Sequence, residues 1–382
     1  MKKLVYFSIL FSLVFWLVGC DQKPAVEASG KTIKVGIIAP FSGPVLAYGK
    51  EGLKGIETAK QLQPYLQNGD RIELVVEDDK NDPALTVERL KKLVEKDRVS
   101  AIITFSSSKP VLAMGKVADK HKTPILAALA THPDITKDNG FISQLAFDDD
   151  FQGTVAALFV RDDLLIDTVA VFNDPTSVYS SYLAAEFERK FKSIGGEITD
   201  RIALAEETAE LSEVIKGVYD HTPELLYLPL SVKDVIRVVR EVRKLDWKPE
   251  MMGSDGLIST MIAQHKEEIN LVEGMLATDH FAHRMLLTPF GKRAAEMYSK
   301  MYKDTATAHV ALGAEGYALL LDAMNRCKDP ADRNCINRQI RSTTNFMGIV
   351  GNLTIGPDGK SRRPLCINSI QGGRSEFIFK VY

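Results

Sequence analysis

Residues Ile33–Ala59 read IKVGIIAPFSGPVLAYGKEGLKGIETA. Ile33 to Ala39 is a nearly unbroken apolar run, Pro40-Phe41-Ser42-Gly43-Pro44 is a loop of turn formers, and an amphipathic segment follows from about Ala47 to Leu66. A short apolar run without polar alternation suits a strand buried on both faces, as in a parallel sheet covered by helices. The alternation continues outward. Strands are predicted at Arg71–Glu77, Val99–Thr104 and Pro124–Ala128, with helices around Ala84–Lys96 and Pro110–Lys120. After a break it resumes with helix Asp148–Leu165, strand Thr168–Asn173, helix Ser181–Ile194 and strand Ile198–Ile202. Helix Glu210–Tyr219, strand Leu225–Pro229, helix Lys233–Leu245 and strand Glu250–Ser254 complete the pattern. Strands alternating with helices predict an α/β fold, here two doubly wound, Rossmann-like lobes.

The totals bound the function. A chain of 382 residues admits two domains, and 45% hydrophobic with 26% charged residues is ordinary for a globular protein. A net charge of −2 argues against a nucleic-acid partner, which calls for a basic surface. Catalytic signatures fail one by one. Gly359-Lys360-Ser361 echoes a phosphate loop, but Thr354 stands where glycine is required. Gly253-Ser254-Asp255-Gly256 lacks the Gly-x-Ser-x-Gly of a nucleophile elbow. The cysteines and the seven histidines show no zinc spacing and no triad. The expectation is a binding protein without cofactor or metal.

The amino terminus sets the compartment. Lys2 and Lys3 precede an apolar stretch from Leu4 to Phe15, the layout of a secretory signal peptide. That stretch is shorter than the roughly 20 residues a membrane-spanning helix needs. Leu17-Val18-Gly19-Cys20 resembles the lipobox of bacterial lipoproteins. The resemblance implies removal of residues 1–19, a diacylglycerol on the Cys20 sulfur and a polar tether over residues 20–32. Each buried methylene of such an anchor contributes about 0.8 kcal/mol of membrane affinity. Asp21 resembles the signal that retains some lipoproteins at the inner membrane, so an extracytoplasmic protein held there is expected. In an oxidising compartment Cys327 and Cys335, which bracket a turn-rich septet, are expected to form a disulfide. Cys366 has no evident partner and reads as a small buried apolar residue.

Several motifs follow one another in a recognisable order. They are Ser42-Gly43-Pro44 after the first strand, Tyr48-Gly49, Asp78-Asp79 with Pro83, and Ser106-Ser107-Ser108. Ala130-Thr131-His132-Pro133, Asp148 with Gln152-Gly153, and Gly253-Ser254-Asp255-Gly256 come next, then Phe346-Met347-Gly348 and Gly356-Pro357-Asp358-Gly359. In this order the chain resembles the type I periplasmic binding proteins of the Leu/Ile/Val-binding group, the solute receptors of ABC amino-acid importers. The resemblance implies two lobes joined by three hinge crossovers, with ligand between them. Mapped here, lobe one is Ile33–Ala146 plus Asp279–Asn352, and lobe two is Phe147–Thr278 plus Leu353–Tyr382.

An amino acid is a zwitterion, so its carboxylate needs donors, its ammonium needs acceptors and its side chain needs a shaped pocket. Ser106 and Ser107 stand just before a helix, where hydroxyls and free backbone N–H groups make an anion site; the competing reading is helix capping. The family places the ligand carboxylate at the position of Ser106, and head-group contacts at Leu129 and Thr131. The alternative for Thr131 is a cap before Pro133. Asp255 matches the family's acidic residue for the ammonium, one methylene shorter, although aspartate also favours turns. Tyr48 and Tyr179 match aromatic residues that close over ligand from opposite lobes, the alternative being ordinary packing. Ser231 stands where some relatives carry an aromatic wall. The function implied is capture of a branched-chain or similar amino acid and its delivery to ABC permease subunits. A ligand-sensing or partner-regulating lipoprotein on the same fold is the alternative.

Overall fold

Strand β1 (Thr32–Ala39) is buried along nearly its whole length, as its unbroken apolar run demands. The computed structural model describes residues 30–205, 210–282, 285 and 287–382. The expected signal segment and Cys20 lie outside these residues. After β1 come α1 (Leu46–Leu62), β2 (Arg71–Asp78), α2 (Pro83–Lys91), β3 (Ala101–Thr104), α3 (Ser108–His121), β4 (Ile125–Ala127) and β5 (Ile142–Gln144). These strands form one five-stranded parallel sheet in the order β2-β1-β3-β4-β5.

The chain then crosses to a second sheet. Its elements are α4 (Asp149–Leu158), β6 (Thr168–Asn173), α5 (Val178–Ser193), β7 (Glu197–Ala203), α6 (Leu211–Asp220), β8 (Leu225–Leu228) and α7 (Val232–Lys244). They continue with β9 (Glu250–Gly253), α8 (Leu257–Gln264) and β10 (Leu276–Asp279). Next come α9 (Pro289–Tyr302), α10 (Ala308–Asn325), α11 (Arg333–Ile340) and the short strands β11 (Phe346–Met347), β12 (Asn352–Ile355) and β13 (Ser361–Arg362). Strands β14 (Leu365–Gln371) and β15 (Arg374–Val381) return antiparallel to the edge of the second sheet, giving the order β15-β14-β10-β9-β8-β6-β7. Each sheet thus has the doubly wound 2-1-3-4-5 arrangement, which places a ligand crevice beyond the carboxyl ends of the strands where the winding reverses.

Three crossovers join the two sheets. The first lies between Leu145, in the core under the first sheet, and Phe147, in the core of the second. The second follows β10 at Asp279–Phe281. For the third, the sequence boundary falls between Asn352 and Leu353, but Leu353 and Ile355 pack in the first core with α10 and α11 residues. The chain therefore stays with the first sheet as far as β13 and crosses at about Arg363–Leu365. Arg363 and Glu315, both buried, form an ion pair of 2.5 Å, and Arg363 also donates to the Leu145 carbonyl at 3.2 Å. Glu315 accepts from the Ile349 N–H at 2.7 Å. One buried pair thus ties two crossovers to α10.

Helix α10 is buried almost all round and crosses α1 with the two backbones in contact. A Cβ on Gly55 would lie 2.0 Å from the Val310 carbonyl oxygen, and one on Gly313 would lie 2.1 Å from that of Gly52. Cys327 and Cys335 form the expected disulfide, joining the end of α10 to α11, and Cys366 is a buried free thiol.

Candidate functional site

Between the carboxyl ends of the two sheets lies a cavity of about 270 Å³. The first sheet supplies Val45, Tyr48, Ser107 and Lys109; the second supplies Tyr179, Leu230, Ser231, Asp255, Leu257 and Thr260. Every one of these residues follows a strand at or beside a winding reversal, which is why segments far apart in sequence meet here.

Five of the residues singled out from sequence line this cavity: Tyr48, Ser107, Tyr179, Ser231 and Asp255. Ser107 occupies the N-cap position of α3, yet its side chain makes no capping bond, so its hydroxyl is free for the cavity. Its N–H donates to Asn81 Oδ1 at 2.8 Å, which fixes the loop. Ser231 does cap its helix, accepting from the Asp234 N–H at 3.2 Å, and still borders the cavity.

The other three sit behind the wall. Ser106 is fully buried; its hydroxyl donates to Asp79 Oδ2 and lies 3.0 Å from Thr104 Oγ1. Asp79 in turn accepts from Thr86 Oγ1 at 2.7 Å, so Ser106 braces the loop that presents Ser107. Leu129 and Thr131 are buried and are not among the lining residues. The cap before Pro133 is provided by His132, whose Nδ1 accepts from the Asp134 N–H at 3.2 Å.

Asp255 is the acidic floor on the second-lobe side. It accepts from Tyr179 Oη at 2.6 Å, and His280 Nε2 is 3.5 Å away. Burial pushes this carboxyl up, but His280, Tyr179 and Gln152 outweigh burial and hold it below its usual range. Asp255 is therefore a charged carboxylate. Gly256 follows it with a φ of 77°, a left-handed turn into α8 that bends the chain away from the cavity.

A second acid was not legible from sequence. Asp148, Asp149 and Asp150 form a run, and the structure gives each a different task. Asp148 caps α4 through the Phe151 N–H at 3.0 Å and pairs with Lys360 at 2.7 Å. Asp150 accepts from Tyr182 at 2.6 Å. Asp149 is fully buried, and neither of its carboxyl oxygens has a hydrogen-bond partner among the described residues. Burial, then the charge on Asp255, raise its pKa well above the carboxylate range, against a smaller opposing effect of the Thr131 hydroxyl. Around the two acids stand further buried polar groups that have no partner among the described residues: Tyr227 Oη, Gln152 Oε1, His280 Nδ1 and both ring nitrogens of His309. Burial pushes the pKa of both histidines down, that of His309 to about 4. Tyr48 packs edge-on to His309 at 5.1 Å, and burial and the Asp255 charge push its hydroxyl up to about 12. Such a concentration of unmet donors and acceptors beside a cavity is the chemistry of a site for a small polar molecule.

Two sets of hydrogen bonds span the cavity's flank. Gln264, at the end of α8, accepts from the Ala47 N–H at 2.7 Å and donates to the Pro44 carbonyl at 3.0 Å. Ser259 Oγ accepts from the Ala308 N–H at 3.0 Å. These bonds draw the lobes together over the cavity.

Comparison with known proteins agrees with this architecture. A family model described as "Periplasmic binding protein" matches residues 32–374. An amino acid binding protein of Pseudomonas aeruginosa is 22% identical over 300 residues, which span 78% of this chain and 78% of that protein. The Leu/Ile/Val-binding protein of Citrobacter freundii is 22% identical over 309 residues, 80% of this chain and 82% of that one. Among solved structures, a leucine binding protein from Thermotoga maritima superposes with a TM-score of 0.84 at 28% identity, covering 91% of this chain and 98% of that chain. A substrate binding protein from Streptococcus pneumoniae, solved in complex with isoleucine, shares the fold with a TM-score of 0.83 at 21% identity, covering 92% and 100%. The chain belongs to the periplasmic binding protein family, in its type I, Leu/Ile/Val-binding group, whose members are extracytoplasmic solute-binding proteins and not enzymes.

Proposed function

We propose that this protein is a lipid-anchored receptor that captures a branched-chain or similar amino acid in the interlobe cavity and delivers it to ABC permease subunits. The observation that carries the reading is the pairing of opposite chemistries across about 270 Å³. On one wall, the Ser107 hydroxyl and the start of α3 offer donors to a carboxylate. On the other, charged Asp255 offers an acceptor to an ammonium, with buried Asp149 behind it. Val45, Pro229, Leu230, Val232 and Leu257 form the apolar part of the lining, suited to an aliphatic side chain. Tyr48 and Tyr179 close over the head group from the two lobes, and Ser106, Leu129 and Thr131 hold the walls from behind. The names of the relatives, an amino acid binding protein and Leu/Ile/Val-binding proteins, support the same ligand class.

The lobes are divided as 33–146 with 279–352 and its extension through β13, against 147–278 with the closing hairpin to 382. Ligand favours the closed arrangement by its differential affinity for it, and the permease reads that arrangement. Anchoring through Cys20 at the inner membrane keeps the receptor beside the importer. Calorimetric titration of the protein with amino acids tests the reading. Binding of an aliphatic amino acid is expected, weakened at least about thirtyfold in Asp255→Ala because a buried charge pair loses a partner. No binding of any amino acid, or unaltered binding by the variant, refutes it.

A further inference from the structure

Helix α8 has a second wet face. Leu257 and Thr260 line the interlobe cavity, whereas Ile258, Ser259 and Ile262 line another one, of about 620 Å³, on the opposite side of the helix. This larger cavity lies behind the hinge and is built from both lobes. The second lobe gives α8, the segment after it and the turn between β14 and β15; the first gives the loop Asp304–Ala308 ahead of α10. The second crossover passes along it at Asp279 and Phe281.

Its chemistry is two-sided. Ile258, Ile269 and Phe281, each buried, form an apolar floor. At the rim stand two exposed cations, Lys266 and Arg374, and neither makes an ion pair among the described residues. The acids nearby do not answer them. Asp304 accepts from the Thr305 N–H at 2.8 Å, and Glu376 is already engaged. Asp279 accepts from the His280 N–H at 2.7 Å, and burial pushes its pKa to about 8, so it is largely uncharged at neutral pH. Ser375 adds a buried hydroxyl with no partner among the described residues. An apolar floor under two unanswered cations and a free hydroxyl is complementary to a molecule with an apolar body and one negative end.

We propose that this cavity is a second ligand site, for a small amphipathic carboxylate, its apolar body over Ile258, Ile269 and Phe281 and its anionic head between Lys266 and Arg374. The site is separate from the interlobe cavity and stands whether or not that cavity takes an amino acid.

Octanoate is the probe. Calorimetry of the protein with octanoate is expected to show saturable binding. In the double variant Lys266→Glu, Arg374→Glu, whose exposed side chains bear on no core, the affinity falls at least about tenfold, as expected when charge-assisted contacts turn repulsive. Ile262→Trp, which crowds the apolar floor with an indole, weakens binding, and octylammonium binds more weakly than octanoate to the unaltered protein. Absence of octanoate binding overturns the proposal. So does equal binding by the charge-reversed variant, or a preference for octylammonium.

Discussion

Replacing Gln264 with alanine tests whether closure and ligand contact are separable. Gln264 is not among the lining residues of the interlobe cavity, yet its side chain makes two hydrogen bonds across its flank, at 2.7 Å from Ala47 and 3.0 Å to Pro44. Both bonds exist only when the lobes meet. A neutral hydrogen bond contributes about 1 kcal/mol net, less where water takes over its partners, so the closed form loses about 1–2 kcal/mol relative to the open one. If the unliganded protein is mostly open, the apparent dissociation constant rises by about five- to thirtyfold. The signature is uniformity. Every ligand of the cavity weakens by the same factor, because the loss is in the cost of closing and not in any contact. Calorimetry with two amino acids of different side chain measures it. An unchanged dissociation constant, or a change in the ratio between the two ligands, refutes the reasoning.

Further outcomes follow from other features. Asp279 has a folded-state pKa of about 8 against 3.8 for the free group, so the stability it contributes is full below 3.8 and is lost as pH rises through about 8. Thermal unfolding across that window should show a falling melting temperature, and Asp279→Asn should flatten part of the fall; an equal slope in the variant refutes it. Gly313→Ala drives a Cβ to 2.1 Å from the Gly52 carbonyl oxygen and should destabilise by about 1–3 kcal/mol or more, read by denaturant unfolding. Gly217→Ala on α6, where a Cβ meets nothing within 4 Å, should stabilise by about 0.5–1 kcal/mol, so equal effects would undo the packing argument. Cys20→Ala should move the protein from the membrane fraction to the soluble fraction, and retention in the membrane would remove the lipid anchor from the account.

What could be read from the chain, and what could not, has physical causes. Strands such as β1, β6 and β9 are short apolar runs between turn formers, and their positions were plain. Helix α10 was not, because burial on all sides erases the polar face that gives a helix its periodic signature. Strands β5 (Ile142-Ser143-Gln144) and β10 (Leu276-Ala277-Thr278-Asp279) were not plain either, because polar residues fill half or more of each and leave no apolar run. The same limit holds in the site. Ser106 and Ser107 are adjacent and identical, and the bonds of the Ser106 hydroxyl to the Asp79 carboxylate and Thr104 behind it leave Ser107 to face the cavity. Asp148, Asp149 and Asp150 are likewise one residue type in three consecutive positions. Rotation by about 100° per helical residue sends one to a cap, one to the interior and one to the surface. Asp255 was legible because a strand end and a glycine turn frame it. Its partner His280 was not, since it reaches the site from the second crossover, far along the chain.

The crossing of α1 and α10 has a mechanical consequence. Tyr48 opens one of these helices and His309 opens the other, and their backbones touch through Gly52, Gly55 and Gly313 with no side chain between them. A joint without side chains has nothing to vary. Tyr48 and His309 thus ride on one rigid joint, and a side chain introduced at Gly52, Gly55 or Gly313 would displace both at once.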